Sequence, residues 1–469
     1  MSDNAPSLLP DATATLAAFA AGLRYEQLPP SVIGRMKTSL LDSIGCCLYG
    51  MTLPWTQHVQ QMVEEEGARP AASLFGTGRG ASAAGAALVN GTAGHAFELD
   101  DIHKESIVHA GSIALPVAAA LVEAEDTACD GRRFLTALAC GYEIGTRVGN
   151  AATMSLFFRG FHPQGTSGVF VAAATAGWTL GLDAGQMQHA LGIVGSQAGG
   201  LMAAQEGAMV KRFHAGRAAQ SGVYSAQLAQ RGFTGITDVL EASYGGYLSS
   251  YSDKPDAARL TAGLGTEWEA AKVGYKPHAS VTSIHAAMDA LRQLMDAQGL
   301  GADDIETVDV GMSHMTYVHC AWEYKAQGVT AAQMNLFYGL AVIALDGVAF
   351  VAQYREDRLK DPRIFAFIAR IRAHADAGID AMGPAFRHAA RVKVRTREGR
   401  GFEREILHRR GSPENPLSDA EVEVKFRNVV ADCLSPGDID RVVGLVAELD
   451  TSADVRPLLR LLAARRPGA

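Results

Sequence analysis

Aromatic residues are scarce in this 469-residue chain, at 7%, whereas glycine occurs 50 times. A core poor in large rings has to be filled by alanine, glycine and leucine, which favours helices lying close together. Basic residues are not in excess either, and the formal net charge is −8. That argues against a nucleic-acid partner, because phosphate binding needs a broad basic face. A polyanionic ligand would have to be held in a local cationic pocket, against the field of the whole protein. Long apolar runs are missing: Ile113–Val122 and Val169–Leu182 fall short of the ~20 residues a membrane span requires. Met1–Pro10 has no basic stretch followed by an apolar one, so no secretory signal is read and a cytoplasmic location is expected. Cys46, Cys47, Cys129, Cys140, Cys320 and Cys433 form no C-x-x-C pair. They read as small buried hydrophobes in a reducing compartment, with no set spaced for an iron–sulfur cluster.

What is present is the balance of a globular protein, 48% hydrophobic and 20% charged, and long enough for two domains. Apolar residues recur at helical spacing over 31–48, 81–97, 112–125, 132–150, 166–181, 184–197 and 215–231. Asp183 is placed to cap one helix and Gly181 to close the one before it. Near Trp268 the character changes. Ile305, Val308, Val310 and Met312 suggest a strand; Val392 and Val394 alternate with Arg391, Lys393 and Arg395 and turn at Glu398–Gly401 into Phe402–Leu407, a hairpin with one wet face. Helices are expected over 283–295 and 331–345. Ser418 to Glu421 fits a capping box, and Ser435 before Pro436 starts another helix. The expected architecture is mainly α: a helical domain of residues 1–267 plus 406–469, with a smaller α/β lid of 268–405 inserted. The Arg/Lys-rich stretch 387–410 reads as a solvated strand face.

Four polar clusters interrupt this apolar text. Three carboxylates (Glu98, Asp100, Asp101) and three imidazoles (His95, His103, His109) crowd between two helices, where unpaired charges are rarely buried without a function. A metal site is the rival reading, but no helical His pair supports it, and no metal or other cofactor is expected. Gly160–Gly168, with His162 and Thr166, lets backbone N–H groups approach an anion at a helix start; a plain helix-entry turn is the alternative. Lys211, His214 and Arg217 recur three apart and could line one face, although a solvated basic face explains them equally. Lys276 and His278 sit where the lid begins, facing a cleft or simply exposed in a loop.

Together the strings Leu41-Asp-Ser-Ile-Gly-Cys, His95-Ala-Phe-Glu-Leu-Asp-Asp, Gly160-Phe-His-Pro-Gln-Gly-Thr, Lys211-Arg-Phe-His-Ala-Gly-Arg-Ala-Ala, Lys276-Pro-His and Pro413-Glu-Asn-Pro resemble the MmgE/PrpD family, in order and over essentially the whole chain. The resemblance implies a cofactor-free homodimer with a helical domain and an α/β lid. It covers 2-methylcitrate dehydratase, cis-aconitate decarboxylase and iminodisuccinate epimerase. Carried over by position, it implies His109, His162, Lys211, His278 and Tyr317 as catalytic residues. It implies Glu98, Asp101, Thr166, His214 and Lys276 as contacts to a small polycarboxylate. The sequence departs from the dehydratase and decarboxylase branches at Ile102, at Ala110–Gly111 after His109, and at His319, where Asp-Asp-Thr, His-Pro-Ser and Tyr-Val-Asn are usual.

The chemistry such residues would perform is removal of a proton beside a carboxylate. The resulting enediolate concentrates negative charge, which Lys211 and a protonated histidine would stabilise while a neutral histidine acts as base. Loss of hydroxide, return of the proton to the other face, or loss of CO₂ could follow. On the sequence they rank in that order: hydro-lyase, epimerase or isomerase, carboxy-lyase. A carboxylate-binding protein without catalysis stands as the non-enzymatic alternative.

Overall fold

The computed structural model describes residues 9–125 and 128–465, so most of the Met1–Pro10 segment lies outside the described residues. Helix makes up 58% of the structure and strand little, so the mainly α class holds. The helices that matter for the site are α1 (Pro30–Gly50), α2 (Ala83–Gly94), α3 (Gly111–Ala124), α4 (Gly131–Phe158), α5 (Gly168–Thr179), α6 (Ala184–Gly195) and α7 (Val210–Gln230). They follow the apolar periodicities closely. Asp183 caps α6 through the backbone N–H of Gln186, and Gly181, at φ 68°, turns the chain out of α5. Helices Ala12–Gly22 and Pro54–Glu65 were not expected from the periodicity.

The scarcity of rings shows directly in the packing. Where α2 crosses α7, Gly91 lies against Gly216, and a Cβ added to Gly216 would meet Leu88 O and Thr92 Oγ1 at 2.2 Å. Only the absence of a side chain lets the two backbones approach this closely.

In the second half, α8 (His285–Gln298), α9 (His314–Cys320) and α10 (Leu336–Asp346) accompany a four-stranded sheet. Its strands are β1 (Ile305–Met312), β2 (Ile371–Ala375), β3 (Ala390–Thr396) and β4 (Gly401–Ile406), in the order β2-β1-β3-β4. β1 pairs parallel with β2 and antiparallel with β3; β3 and β4 form the expected hairpin. Strand β2 was missed because Ile371–Ala375 alternates poorly and ends in exposed residues. The helix expected over 331–345 is two, Val329–Met334 and α10, divided at Asn335, whose side chain accepts from the Tyr338 N–H and caps the second. After the sheet, α11 (Asp419–Val430) and α12 (Pro436–Ala447) begin at Ser418 and Ser435 caps and pack on α1.

The basic stretch 387–410 divides in two. Along the hairpin Arg391, Lys393 and Arg395 face outward and pair with Glu405, Glu403 and Glu306. At its ends Arg387, His388 and Arg409 turn inward and are buried, which a strand-face reading does not anticipate.

All six cysteines are buried. Among the described residues no helix is long and apolar enough to cross a membrane.

Candidate active site

A two-residue antiparallel ladder, Ile102–His103 against Val273–Gly274, joins the turn after α2 to the segment that leads into α8. It brings Lys276 beside Glu98 and Asp100. The first turn of α7 supplies Lys211 and Arg212 from the other side. Glu98 is the hub: its Oε1 accepts from Lys211 Nζ and, at 2.7 Å, from Arg212 Nη1, while Lys276 Nζ reaches Oε2 at 3.2 Å. Burial alone would raise the Glu98 pKa, but Lys211, Lys276 and Arg212 outweigh it and hold the carboxyl well below its ordinary value. Glu98 has φ 47°, a left-handed conformation costly for a residue with a Cβ, and the three cations fix it there.

Asp100 is the second anion. Its Oδ2 lies 2.6 Å from His95 Nδ1 and 3.3 Å from His109 Nδ1, and its Oδ1 3.3 Å from Lys276 Nζ. Burial opposes its ionisation, yet His109, His95 and Lys276 together keep its pKa well below the usual range. His95 is neutral: burial pulls its pKa down to about 3 despite Asp100. His162, at the turn before α5, is buried and, with Lys211 nearby, is held well below 6.5. Its Nδ1 meets His214 Nδ1 at 2.8 Å, and burial with Lys211 lowers the His214 pKa to about 4. Two neutral imidazoles joined through Nδ1 must be opposite tautomers, one donating and one accepting. Lys211 itself is depressed to about 8 by burial, against the pull of Glu98. It is mostly charged at neutral pH and easily discharged above it.

These groups form one side of a cavity enclosing about 720 Å³ of non-atom space, its open mouth included. Among the described residues, Glu98 is the carboxylate in its lining, and Lys104, Lys211, Lys276 and Arg387 are the cations. The cavity is thus the local cationic pocket that a net-negative protein needs to hold a polyanion.

The sequence-derived residues are distributed unevenly around it. Glu98, His109, His162, Lys211 and Lys276 line the cavity, and His214 stands behind His162. Asp101 does not face it. As neighbours in the chain, Asp100 and Asp101 diverge, and Asp101 accepts from Tyr142 Oη at 2.6 Å and from the Gly111 N–H. The acid orienting the imidazoles is therefore Asp100. Thr166 is buried with its hydroxyl donating to the His162 carbonyl of its own turn, so it does not reach a ligand. His278 turns away from the cavity and engages Asp289 Oδ1 at 3.0 Å. Tyr317 is 37% exposed and outside the lining. Met315 and His319, one helical turn apart on α9, line the cavity, and Tyr317 lies on the opposite side of that helix. Arg217 is exposed and bonded to Gln220, so the three-residue spacing from Lys211 is not one functional face.

Arg212 was missed as a site residue. It is fully buried, donates to Gln333 Oε1 at 3.1 Å as well as to Glu98, and so ties α7 to the helix Val329–Met334. A lone arginine beside a lysine carries no signal of this in sequence. Among the described residues, His95, Asp100 and His109 are the one group whose donor atoms, within 4.8 Å of each other, could hold a metal ion. Those atoms already face one another across the Asp100 carboxylate, and Lys276 lies 3.3 Å from the same group, so a cation there would meet an ammonium ion.

The chain matches the MmgE/PrpD N-terminal domain over residues 14–259 and the MmgE/PrpD C-terminal domain over 278–450. It is 31% identical to the cis-aconitate decarboxylase-like protein oryM of Aspergillus oryzae, covering 96% of this chain and 97% of that one. It is 30% identical to the cis-aconitate decarboxylase of Aspergillus terreus, over 96% and 95% respectively. To the human cis-aconitate decarboxylase it is 26% identical, over 98% and 96%. The cavity, the polar strings that build it and these matches along nearly the whole chain lead to one conclusion: the protein is a member of the MmgE/PrpD family, related to enzymes of the lyase type.

Proposed function

We propose that the protein is a carboxy-lyase acting on a small tricarboxylate of the cis-aconitate type, without a metal or organic cofactor. The observation that carries this reading is the cavity wall, where Lys211 and Lys276 stand with His109 and neutral His162 around the carboxylate of Glu98. The names of the relatives raise decarboxylation above dehydration and epimerisation, which draw on the same residues.

The reaction then runs as follows. The bond from the carboxymethyl carbon to its carboxylate breaks, and CO₂ leaves. The electron pair enters the adjacent double bond, which shifts, and the charge comes to rest on the carboxylate at the far end as an enediolate. Lys211 and Lys276 lie where that charge can be met by fixed cations in a site largely closed to water, where such interactions are strongest. A proton from His109, oriented by Asp100, forms the new C–H bond, and solvent restores it. One proton is consumed per CO₂ released.

The test is incubation of the purified chain with cis-aconitate, following CO₂ and the five-carbon unsaturated dicarboxylate together. Release of both supports the assignment. Silence on cis-aconitate together with water loss from 2-methylcitrate would overturn it and restore the hydro-lyase reading.

A further inference from the structure

The cavity has a second basic wall that the reaction above does not use. Lys104, Arg387 and His388 line it, each less than a tenth exposed, and Arg409, fully buried, lies close enough to act electrostatically on His388. These side chains are held rigidly. Lys104 Nζ donates to the Ala385 carbonyl at 2.7 Å, and Arg387 donates to the carbonyls of Lys104 and Pro384. The Arg387 carbonyl in turn accepts from Ser313 and Thr316. Yet Arg387 Nε, His388 Nδ1, and Arg409 Nε and Nη2 are buried without a hydrogen-bond partner. Three carboxylates stand near the three cations: Glu414 at 3.1 Å from Lys104, Glu105, itself half exposed, at 3.5 Å from Arg387, and Asp289, which acts electrostatically on Arg409. What is left over is the set of orphaned nitrogens, those of Arg387 and His388 on side chains that line the cavity. Buried donors without partners are expensive, and their retention beside a cavity points to a ligand that satisfies them.

We propose that Lys104, Arg387 and His388, backed by Arg409, form a carboxylate subsite for the branch of the substrate that takes no part in bond breaking. The inference rests on the tricarboxylate reading above: one carboxylate leaves, one receives charge at Lys211 and Lys276, and the third needs a place. It makes the enzyme selective for tricarboxylates over dicarboxylates of the same backbone. The same chemistry accounts for Arg387, His388 and Arg409 turning inward from an otherwise solvated hairpin.

Binding separates this subsite from the reaction. Calorimetry on the full chain would compare tricarballylate, a saturated tricarboxylate, with glutarate, which has the same backbone and lacks the branch. Wild type is expected to hold tricarballylate ~10- to 100-fold tighter, the scale of a charge-assisted hydrogen-bond pair. Arg387→Gln, and independently His388→Phe, should lose most of that ratio by weakening tricarballylate while glutarate is unchanged. Arg387 also pins backbone carbonyls; His388→Phe keeps a ring in place and serves as the variant least disturbing to the fold. No preference in wild type, or equal weakening of both ligands in both variants, would overturn the subsite. A clear preference in a protein that releases no CO₂ from cis-aconitate would leave the subsite standing and refute the reaction. CO₂ release without any preference would do the reverse.

Discussion

Replacing Lys211 with methionine should make the protein more stable and nearly inactive at once. The ammonium is almost completely buried, and burial moves its pKa from an ordinary 10.5 to about 8 even with Glu98 in contact. At about 1.4 kcal/mol per pH unit, keeping that group charged costs the fold ~3 kcal/mol relative to the unfolded chain. Methionine has a similar length and no charge. Glu98 keeps Arg212 and Lys276, so no carboxylate is stranded. Part of the gain is returned because Glu98 loses one of three partners, leaving an expected stabilisation of ~1–3 kcal/mol. The sign has a pH signature. Between pH 8 and 10.5 the unfolded lysine still binds a proton that the folded one has released, so wild-type stability rises with pH across that window. The gap between variant and wild type should therefore be largest below pH 8 and close towards 10.5. Turnover should fall ~100-fold or more, the scale of losing one oxyanion-type donor, and Lys211→Arg should not restore it, since guanidinium differs in shape and reach. Melting curves across pH and steady-state rates on the same samples decide the matter. A destabilised Lys211→Met protein with full turnover would refute both the electrostatics and the site.

Asp101, raised to about 7 by burial with Asp42 and Asp100 adding to it and Tyr142 opposing it, takes up a proton on folding, so its contribution is lost as pH rises from about 4 through 7. Asp101→Asn should then be active and more stable than wild type above pH 7, whereas Asp100→Asn should lose most of its turnover; equal effects in melting and rate assays would contradict the division of labour. His162→Ala should lower kcat ~100-fold, and His214→Phe, which keeps the ring but not the Nδ1 contact, ~10-fold with KM little changed; a matching rise in KM would make His214 a ligand contact instead. Activity should survive exhaustive treatment with EDTA and iron chelators, and loss restored by one added metal would reassign His95, Asp100 and His109 as ligands. The homodimer expected from the sequence would cover large exposed side chains such as Tyr244, Phe233, Leu201 and Met209. Sedimentation should show a dimer that Tyr244→Lys weakens, and a wild-type monomer at micromolar concentration would oppose this.

Much of the fold was legible because helical periodicity and caps are local. Asp183, Ser418 and Ser435 cap where their residue types indicate, and α2 to α7 follow their apolar spacing. What was not legible depends on partners far along the chain. Strand β2 exists because β1 offers it a parallel edge. In the site, the polar strings that hold Glu98, His109, His162, Lys211 and Lys276 stand out against apolar helices, but it is the family resemblance, not residue type alone, that sets them above a helix-entry turn or a solvated face; the structure places all five in the cavity lining. Orientation was beyond reach: nothing in Asp100-Asp101 says which carboxylate meets the imidazoles, and nothing in Tyr317–His319 says which side of α9 faces the cavity. Arg212 and Arg409 were unreadable for the same reason, since what distinguishes them from a surface arginine is where the backbone buries them.

The glycine contact between α2 and α7 bears on how this enzyme could be re-engineered. α2 delivers the chain to Glu98 and α7 carries Lys211 in its first turn, so the acid and the ammonium ride on two rods clamped at Gly91 and Gly216. A methyl group at Gly216 would strike backbone, which no rotamer change can absorb, so the rods themselves must part. Their separation is a gauge set by missing atoms. Libraries that aim for new substrates should hold this crossing fixed and vary the wall that Met315, His319 and Met334 contribute to the cavity, which can be reshaped without loosening the grip on the reacting carboxylate.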